Sequence, residues 1–199
     1  GHCLQVNQSG NGVVCGYDAV GRLVQSCDSG GPIFGYDGQN IVRTNDDASS
    51  YGWTFIHGPG TDDPIMGYHD HAGMKAFYIT DGSGRQFGVS TATGADLSAD
   101  ATFQDTFGAH TGASSAGFGF GATRTPSSAI EGISFFRNRW YDQATGRWTQ
   151  EDPTGVAGGV NIYQFSGNNP VAFTDTFGLK VCFHGSQKAG VCDDSTGKR

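Results

Sequence analysis

Glycine limits the fold of this chain more than any other residue type. The 199 residues include 33 glycines, and the longest stretches without one are only 13 residues, at 39–51, 95–107 and 133–145. A membrane-spanning helix needs about 20 apolar residues in a row, so this spacing argues against such helices and against long coiled coils. Aromatic residues make up 12% of the chain, which is too many for a disordered glycine-rich tract. The sequence therefore predicts a β-rich globular or solenoid-like fold with many turns.

Short runs of β-branched and aromatic residues alternate with turn residues along the chain. In the segment 51–57 the aromatic residues occupy alternate positions, which places them on one face of a strand. Strand-like runs about ten residues apart are typical of antiparallel sheet. The predicted strands include 13–17, 22–26, 40–44, 51–57, 74–80, 85–90, 133–141 and 160–165.

The charge balance of the chain is acidic. Twelve lysines and arginines stand against 19 aspartates and glutamates, a net charge of −7. A nucleic-acid partner needs clustered basic residues to neutralise phosphates, and the sequence has no such cluster. We therefore expect no nucleic-acid partner, and no sequence pattern predicts a cofactor or a metal.

Five cysteines indicate disulfides in an oxidising compartment, with buried free thiols as the alternative. They are Cys3, Cys15, Cys27, Cys182 and Cys192. Their spacing contains no pair typical of a zinc site. Because their number is odd, one cysteine must stay unpaired or join another chain.

An internal repeat is visible near the start of the chain. The segments 16–24 and 35–43 share a Gly-Tyr-Asp opening, and Tyr17 and Tyr36 are 19 residues apart. Such a period is typical of stacked supersecondary units that cannot bury their faces alone. We expect each unit to be a hairpin in which Asp and Gly form the turn and Tyr packs on the neighbouring unit.

Together with these Tyr-Asp repeats, several later segments resemble the Rhs repeat-associated core and YD-repeat family. The likeness covers roughly residues 16–179, and its most specific part is 137–179. The segments that carry it are His57-Gly-Pro-Gly-Thr-Asp-Asp-Pro64, Arg137-Asn-Arg-Trp-Tyr-Asp142, Thr145-Gly-Arg-Trp-Thr-Gln-Glu-Asp-Pro153, Gly155-Val-Ala-Gly-Gly-Val-Asn-Ile-Tyr163, Gly167-Asn-Asn-Pro170 and Asp175-Thr-Phe-Gly-Leu179.

The resemblance implies a bacterial protein whose repeats wind into a hollow β-shell that the core region closes, often around a C-terminal toxin. In several members the core is also an intramolecular aspartyl protease. Carried over to this sequence, Asp152 and Asp175 would be the catalytic carboxylates, Arg147 would support them, and the Leu179–Lys180 bond would be cut. The alternative is that these aspartates only form turns. The family has proline where this chain has Thr176, which would loosen the turn that orients Asp175.

The resemblance and the composition together predict an all-β protein with three segments: YD-repeat hairpins at 1–50, an Rhs core with a coiled antiparallel sheet at 51–179, and a short cysteine-containing tail at 180–199. The leading hypothesis is a secreted or cell-surface shell core, partnered by its own upstream repeats and enclosing a C-terminal cargo outside this chain. The alternative is an extracellular assembly subunit. Two repeats leave sheet edges open, and open edges invite pairing with identical subunits.

Overall fold

A computed structural model describes residues 15–25, 32–45, 51–59, 63–71, 73, 75–80, 86–91, 103–108, 110–111 and 133–183. Within these ranges the chain is all-β apart from two short 3-10 turns, Gly155–Gly158 and Ser166–Asn168. Every strand pair is antiparallel, which confirms the predicted fold class. No helix in the described part of the chain is long and apolar enough to cross a membrane.

The largest sheet is an eight-stranded meander in which each strand pairs with the next one along the chain. Its fourth strand, Asn40–Asn45, pairs with its fifth, Gly52–His57, and Arg43 lies opposite Thr54. These two paired strands lie on either side of position 50. The predicted segments 1–50 and 51–179 therefore share one sheet. The boundary between them at position 50 stays a prediction. The strands are β1 Gly16–Tyr17, β2 Leu23–Gln25, β3 Ile33–Asp37, β4 Asn40–Asn45, β5 Gly52–His57, β6 Pro64–His69, β7 Lys75–Thr80 and β8 Gln86–Thr91.

Three smaller sheets follow. One is a three-stranded meander. The other two are two-stranded ladders, one before and one after the meander in sequence. Their strands are β9 Phe103–Gln104, β10 His110–Thr111, β11 Ile133–Phe136, β12 Arg139–Asp142, β13 Arg147–Trp148, β14 Phe173–Thr174 and β15 Cys182–Phe183.

The predicted hairpin unit is confirmed in the first two repeats. The Asp18 carboxylate accepts the backbone N–H groups of Val20 and Arg22 at 3.0 and 2.9 Å, which stabilises the turn. The Arg22 guanidinium then lies 4.8 Å from the ring centroid of Tyr36 and donates to the carbonyl of Gly38 at 2.6 Å. Because Tyr36 also donates to the Leu23 carbonyl at 2.7 Å, the second repeat is joined to the first by both its tyrosine and its turn.

Two strand predictions are wrong. The segment 133–141 is a hairpin rather than one strand, because Arg137 adopts a left-handed φ of 54° and turns the chain between β11 and β12. The segment 160–165 consists of turns, and only Gln164 forms an isolated bridge, with Arg147. Val160 in that segment is fully exposed, so its apolar residues do not form the buried face of a strand.

The β11–β12 hairpin is covered on both faces. Phe135 and Trp140 pack with Leu23 and Phe34 of the large sheet. The opposite face contributes to an aromatic cluster whose buried rings are Phe136, Tyr141, Trp148 and Phe165. Consecutive residues of a strand point to opposite faces, so this hairpin lies between the large sheet and the aromatic cluster.

Candidate active site

Arg139 enters the candidate site from the aromatic face of β12. Its register partner is Phe136, and one position further along the same face lies Tyr141. The guanidinium stacks 4.2 Å from the centroid of the Trp148 ring, and its side chain is only 2% exposed. A buried arginine requires compensating charge and acceptors, and two carboxylates provide the charge.

Asp175 lies in the turn that follows β14 and is the more deeply buried of these two carboxylates, with a side chain 1% exposed. Its Oδ2 accepts from Arg139 Nη2 at 3.1 Å. Its Oδ1 accepts the backbone N–H of Leu179 at 2.9 Å and that of Lys180 at 3.0 Å. The carboxylate is therefore bound directly to both residues of the predicted scissile bond.

Asp152 reaches the same guanidinium from the turn after β13. Its Oδ2 lies 3.0 Å from Arg139 Nη2, and its side chain is 9% exposed. Its Oδ1 accepts from the backbone N–H and the hydroxyl of Thr154, at 2.8 and 2.5 Å. Through Arg139 the structure thus brings Asp152 to Asp175 and the residues of the Leu179–Lys180 bond, although Asp152 lies 23 residues before Asp175 in the sequence.

The electrostatics of the cluster favour one retained proton. Burial raises the pKa of Asp175, and the N–H groups of Lys180 and Leu179 and the Arg139 cation only partly offset this effect. Burial also lowers the pKa of Arg139, against the attraction of both carboxylates. One guanidinium can neutralise only one carboxylate, so a proton retained on Asp175 would reduce the uncompensated charge of the buried cluster.

The structure corrects the identity of the supporting arginine. Arg147 is exposed, and within the described part of the chain no ion pair joins it to Asp152 or Asp175. Arg147 is the register partner of Asp142 and neighbours Trp148, whose ring lies in the aromatic cluster. Its side chain therefore points away from the site, and the arginine that pairs with both carboxylates is Arg139. The signal for Arg139 was its place in the motif Arg137–Asp142, between two aromatic-rich stretches.

The turn that orients Asp175 forms without proline. The Gly178 N–H donates to the Asp175 carbonyl at 3.2 Å, and Gly178 has a φ of 65°. The same tetrapeptide at 105–108 forms the same contact, Gly108 N–H to Asp105 carbonyl, at 3.0 Å. Asp-Thr-Phe-Gly is therefore a complete turn sequence in this chain, and Thr176 does not displace Asp175 from the cluster.

Gly178 is required at this turn for two reasons, and Gly178→Ala is expected to lower the free energy of unfolding by about 2–3 kcal/mol. Besides its left-handed φ, a Cβ at this position would lie 2.9 Å from the Phe136 carbonyl oxygen and 3.3 Å from the Arg139 nitrogen. Urea unfolding would measure the loss. Gly155→Ala is the matched control, because Gly155 has a similar φ of 62° but no heavy atom within 4 Å of the added Cβ. Its expected cost is about 1 kcal/mol; equal losses would show that the close packing at Gly178 contributes nothing.

The comparisons with known proteins concern the fold and the family. No family model matches the chain. The structure of the Photorhabdus luminescens Tc holotoxin pore matches 89% of the chain with a TM-score of 0.64 at 15% identity, over 9% of that chain. A crystal structure of TcdB2-TccC3 matches with a TM-score of 0.64 at 15% identity, over 89% of this chain and 10% of that one. These likenesses establish the class of fold, a β-sheet architecture shared with Tc toxin proteins.

Sequence matches to curated proteins identify relatives within this class of fold. The toxin subunit YenC2 of Yersinia entomophaga is 38% identical over 48 residues, which are 24% of this chain and 5% of the relative. The probable deoxyribonuclease RhsA of Dickeya dadantii is 41% identical over 51 residues, 26% of this chain and 4% of the relative. The chain thus spans about a twentieth of the length of these relatives. The Rhs/YD-repeat family recognised in the sequence is confirmed over this quarter of the chain.

Proposed function

We propose that this chain is the closing core of a secreted or cell-surface Rhs-type β-shell of a bacterium, and that it cleaves itself between Leu179 and Lys180. One observation carries the second part. Asp175 accepts the N–H groups of both residues of that bond through one oxygen and shares Arg139 with Asp152 through the other. A pair of buried carboxylates, one of them bound to the peptide bond to be cut, is an arrangement suited to aspartyl protease chemistry.

The chemistry follows from the two environments. Asp152, held by Arg139, would take a proton from a water molecule as the water attacks the Leu179 carbonyl carbon. Asp175, whose pKa is raised by burial and whose Oδ1 accepts the Lys180 N–H at 3.0 Å, would donate its proton to the Lys180 nitrogen. The carbon–nitrogen bond then breaks, Lys180 leaves with a free amino group, a carboxyl group forms on Leu179, and the proton taken from water remains on Asp152.

Incubation of the purified chain followed by intact mass spectrometry under denaturing conditions tests this proposal directly. The expected product is a chain that ends at Leu179, together with the peptide 180–199. A chain that keeps its full mass over a pH series would remove self-cleavage from the proposal and leave the shell core.

Self-cleavage is expected to slow as the pH rises through the pKa of Asp175. Burial raises that pKa above its ordinary value of 3.8, and only the protonated carboxyl can donate. The same shift has a consequence for stability: the folded state binds more protons than the unfolded state between the two pKa values, so stability falls as the pH rises through that window. Cleavage rates from quenched time courses between pH 4 and 9 measure the first effect. A rate that grows steadily with pH would contradict a protonated Asp175.

Disulfides would be stable in the oxidising extracellular environment that we propose for this protein. Cys15 and Cys182 are buried, with 6% and 8% exposure, and both belong to the cysteines proposed to form disulfides. Cys3, Cys27 and Cys192 lie outside the described residues. The intact mass before and after reduction would count the bridges, since each adds two hydrogens on reduction.

The assembly subunit is a second candidate, and one feature of the sheet favours it. Ile56, Met66 and Phe77 are register partners across three adjacent strands. Ile56 and Phe77 are 54% and 38% exposed, so the outer face of β5, β6 and β7 carries an apolar row. This row lies next to β8, which ends the sheet in the described part of the chain. Such a row is suited to contact identical subunits or upstream repeats. Electron microscopy under non-reducing conditions distinguishes filaments, expected for the subunit, from discrete particles, expected for a shell core.

A further inference from the structure

Three consecutive side chains of the β11–β12 turn hold three consecutive carbonyls just before the predicted cleavage point. Arg137 Nη1 donates to the Thr176 carbonyl at 2.8 Å, Asn138 Nδ2 to the Phe177 carbonyl at 2.9 Å, and Arg139 Nε to the Gly178 carbonyl at 2.5 Å. Each pair is separated by 39 positions in the sequence. We call these three donors and their carbonyls the carbonyl clamp.

The turn that carries the clamp has an energetically unfavourable backbone conformation. Arg137 has a φ of 54°, a region that glycine enters freely and arginine rarely. The Asn138 N–H also donates to the Phe136 carbonyl at 2.5 Å, which tightens the turn. Non-glycine residues held in this region concentrate at functional sites. A glycine at position 137 would relieve the backbone but would remove the guanidinium.

The guanidinium of Arg137 makes two further contacts. Its Nη2 donates to the Gln39 carbonyl at 3.0 Å, and its centre lies 5.0 Å from the centroid of the Phe177 ring. Gln39 belongs to the turn between β3 and β4 of the repeat sheet. The clamp thus connects the second YD-repeat hairpin to the residues that precede the cleavage point.

We infer that the carbonyl clamp is a positioning device that sets the main-chain register of the cleaved segment, so that the Leu179–Lys180 bond and no neighbouring bond meets the carboxylates. This inference rests on the proposed self-cleavage and extends it to the choice of bond. The hydrogen bonds of the clamp are all made to main-chain oxygens of residues 176–178, so they fix the position of the segment along the chain. Arg137 adds one side-chain contact, with the Phe177 ring. Asp175, one residue before the clamped carbonyls, binds the two N–H groups immediately after them.

Asn138→Asp tests the inference with the least change in shape, because it removes the donor and places a carboxylate against the Phe177 carbonyl. Misplacement of a reacting bond lowers rates strongly, and we expect about tenfold slower self-cleavage, with minor products cut one residue away. The pH profile of the rate should stay unchanged, since Asp152 and Asp175 are intact. Arg137→Lys, which keeps the charge but not the fork of donors, should act in the same direction. Asn169→Asp is the matched control on an exposed asparagine and should cleave as the wild type does.

Amide hydrogen exchange separates failure of the clamp from failure of self-cleavage. In an Asp152→Asn background, where the bond should stay intact, adding Asn138→Asp should accelerate exchange at the Leu179 and Lys180 amides about tenfold, and exchange in β5–β6 should not change. Wild-type cleavage rate, cut position and exchange in the Asn138→Asp variant would overturn the inference. Faster exchange in a chain whose wild type never cleaves would overturn the proposed function, and with it the role of the clamp in selecting a bond.

Discussion

Asp175→Asn is expected to slow cleavage of the Leu179–Lys180 bond by about 10²–10⁴-fold, the usual contribution of a positioned acid or base. An asparagine keeps an oxygen that can accept the N–H groups of Leu179 and Lys180, but its amide cannot act as an acid. Asp152→Asn should have an effect of the same size, because the two carboxylates act as one unit and such effects are not additive. Intact mass spectra of time courses would measure both rates.

Glu151→Gln is the matched control for these variants. Glu151 is adjacent to Asp152 in sequence, but it is exposed and contacts the Tyr163 hydroxyl at 3.1 Å rather than the cluster. Its loss of charge should leave the cleavage rate unchanged. Equal rates for wild type, Asp152→Asn and Asp175→Asn would show that any cleavage at this bond comes from another source.

Arg139→Leu is expected to destabilise the fold by about 3–5 kcal/mol, the usual cost of removing one partner from a buried ion pair. The substitution leaves Asp152 and Asp175 facing one another without a cation, and it also removes the hydrogen bond to the Gly178 carbonyl and the contact with the Trp148 ring. For a chain of this size the midpoint of thermal unfolding should fall by about 10 °C. Differential scanning calorimetry at neutral pH would measure the change.

Arg147→Leu separates this effect from a simple loss of positive charge. Because Arg147 is exposed and lies on the other face of the hairpin, its removal should change stability by no more than about 0.5 kcal/mol. A second test repeats Arg139→Leu in an Asp152→Asn, Asp175→Asn background. There the uncompensated charges are gone, so the cost should shrink to that of the lost packing and hydrogen bonds. A cost that stays the same in both backgrounds would show that the ion pairs do not stabilise the site.

Strand predictions from local pattern succeeded where alternation and turn residues agreed. The predicted strands 51–57, 74–80 and 85–90 correspond to β5, β7 and β8 within one residue at each end. The pattern missed β6, Pro64–His69, whose opening proline is tolerated at the first position of a strand. It failed at 160–165, where side-chain contacts such as Asn161 Oδ1 to the Tyr163 N–H stabilise successive turns.

In the candidate site as well, the sequence predicted some of the contacts and missed others. Both aspartates and the bond between Leu179 and Lys180 were predicted by resemblance to a family, and the structure brings them together. The same resemblance assigned the supporting arginine to position 147, but the structure places Arg139 between the two aspartates. Position along the chain says nothing about which face of a strand a residue occupies once strands pair in a given register.

The sequence by itself determined the local properties of this protein: an antiparallel β fold, turns at the Asp-Gly and Asp-Thr-Phe-Gly segments, and repeated Tyr-Asp hairpins. These depend on backbone preferences and alternation within a few residues. Only the tertiary structure decided that Arg139 lies between Asp152 and Asp175, and that the clamp turn holds residues 176–178. Those contacts join positions up to 39 residues apart, and their formation depends on which faces of β11, β12 and β13 are buried against the aromatic cluster.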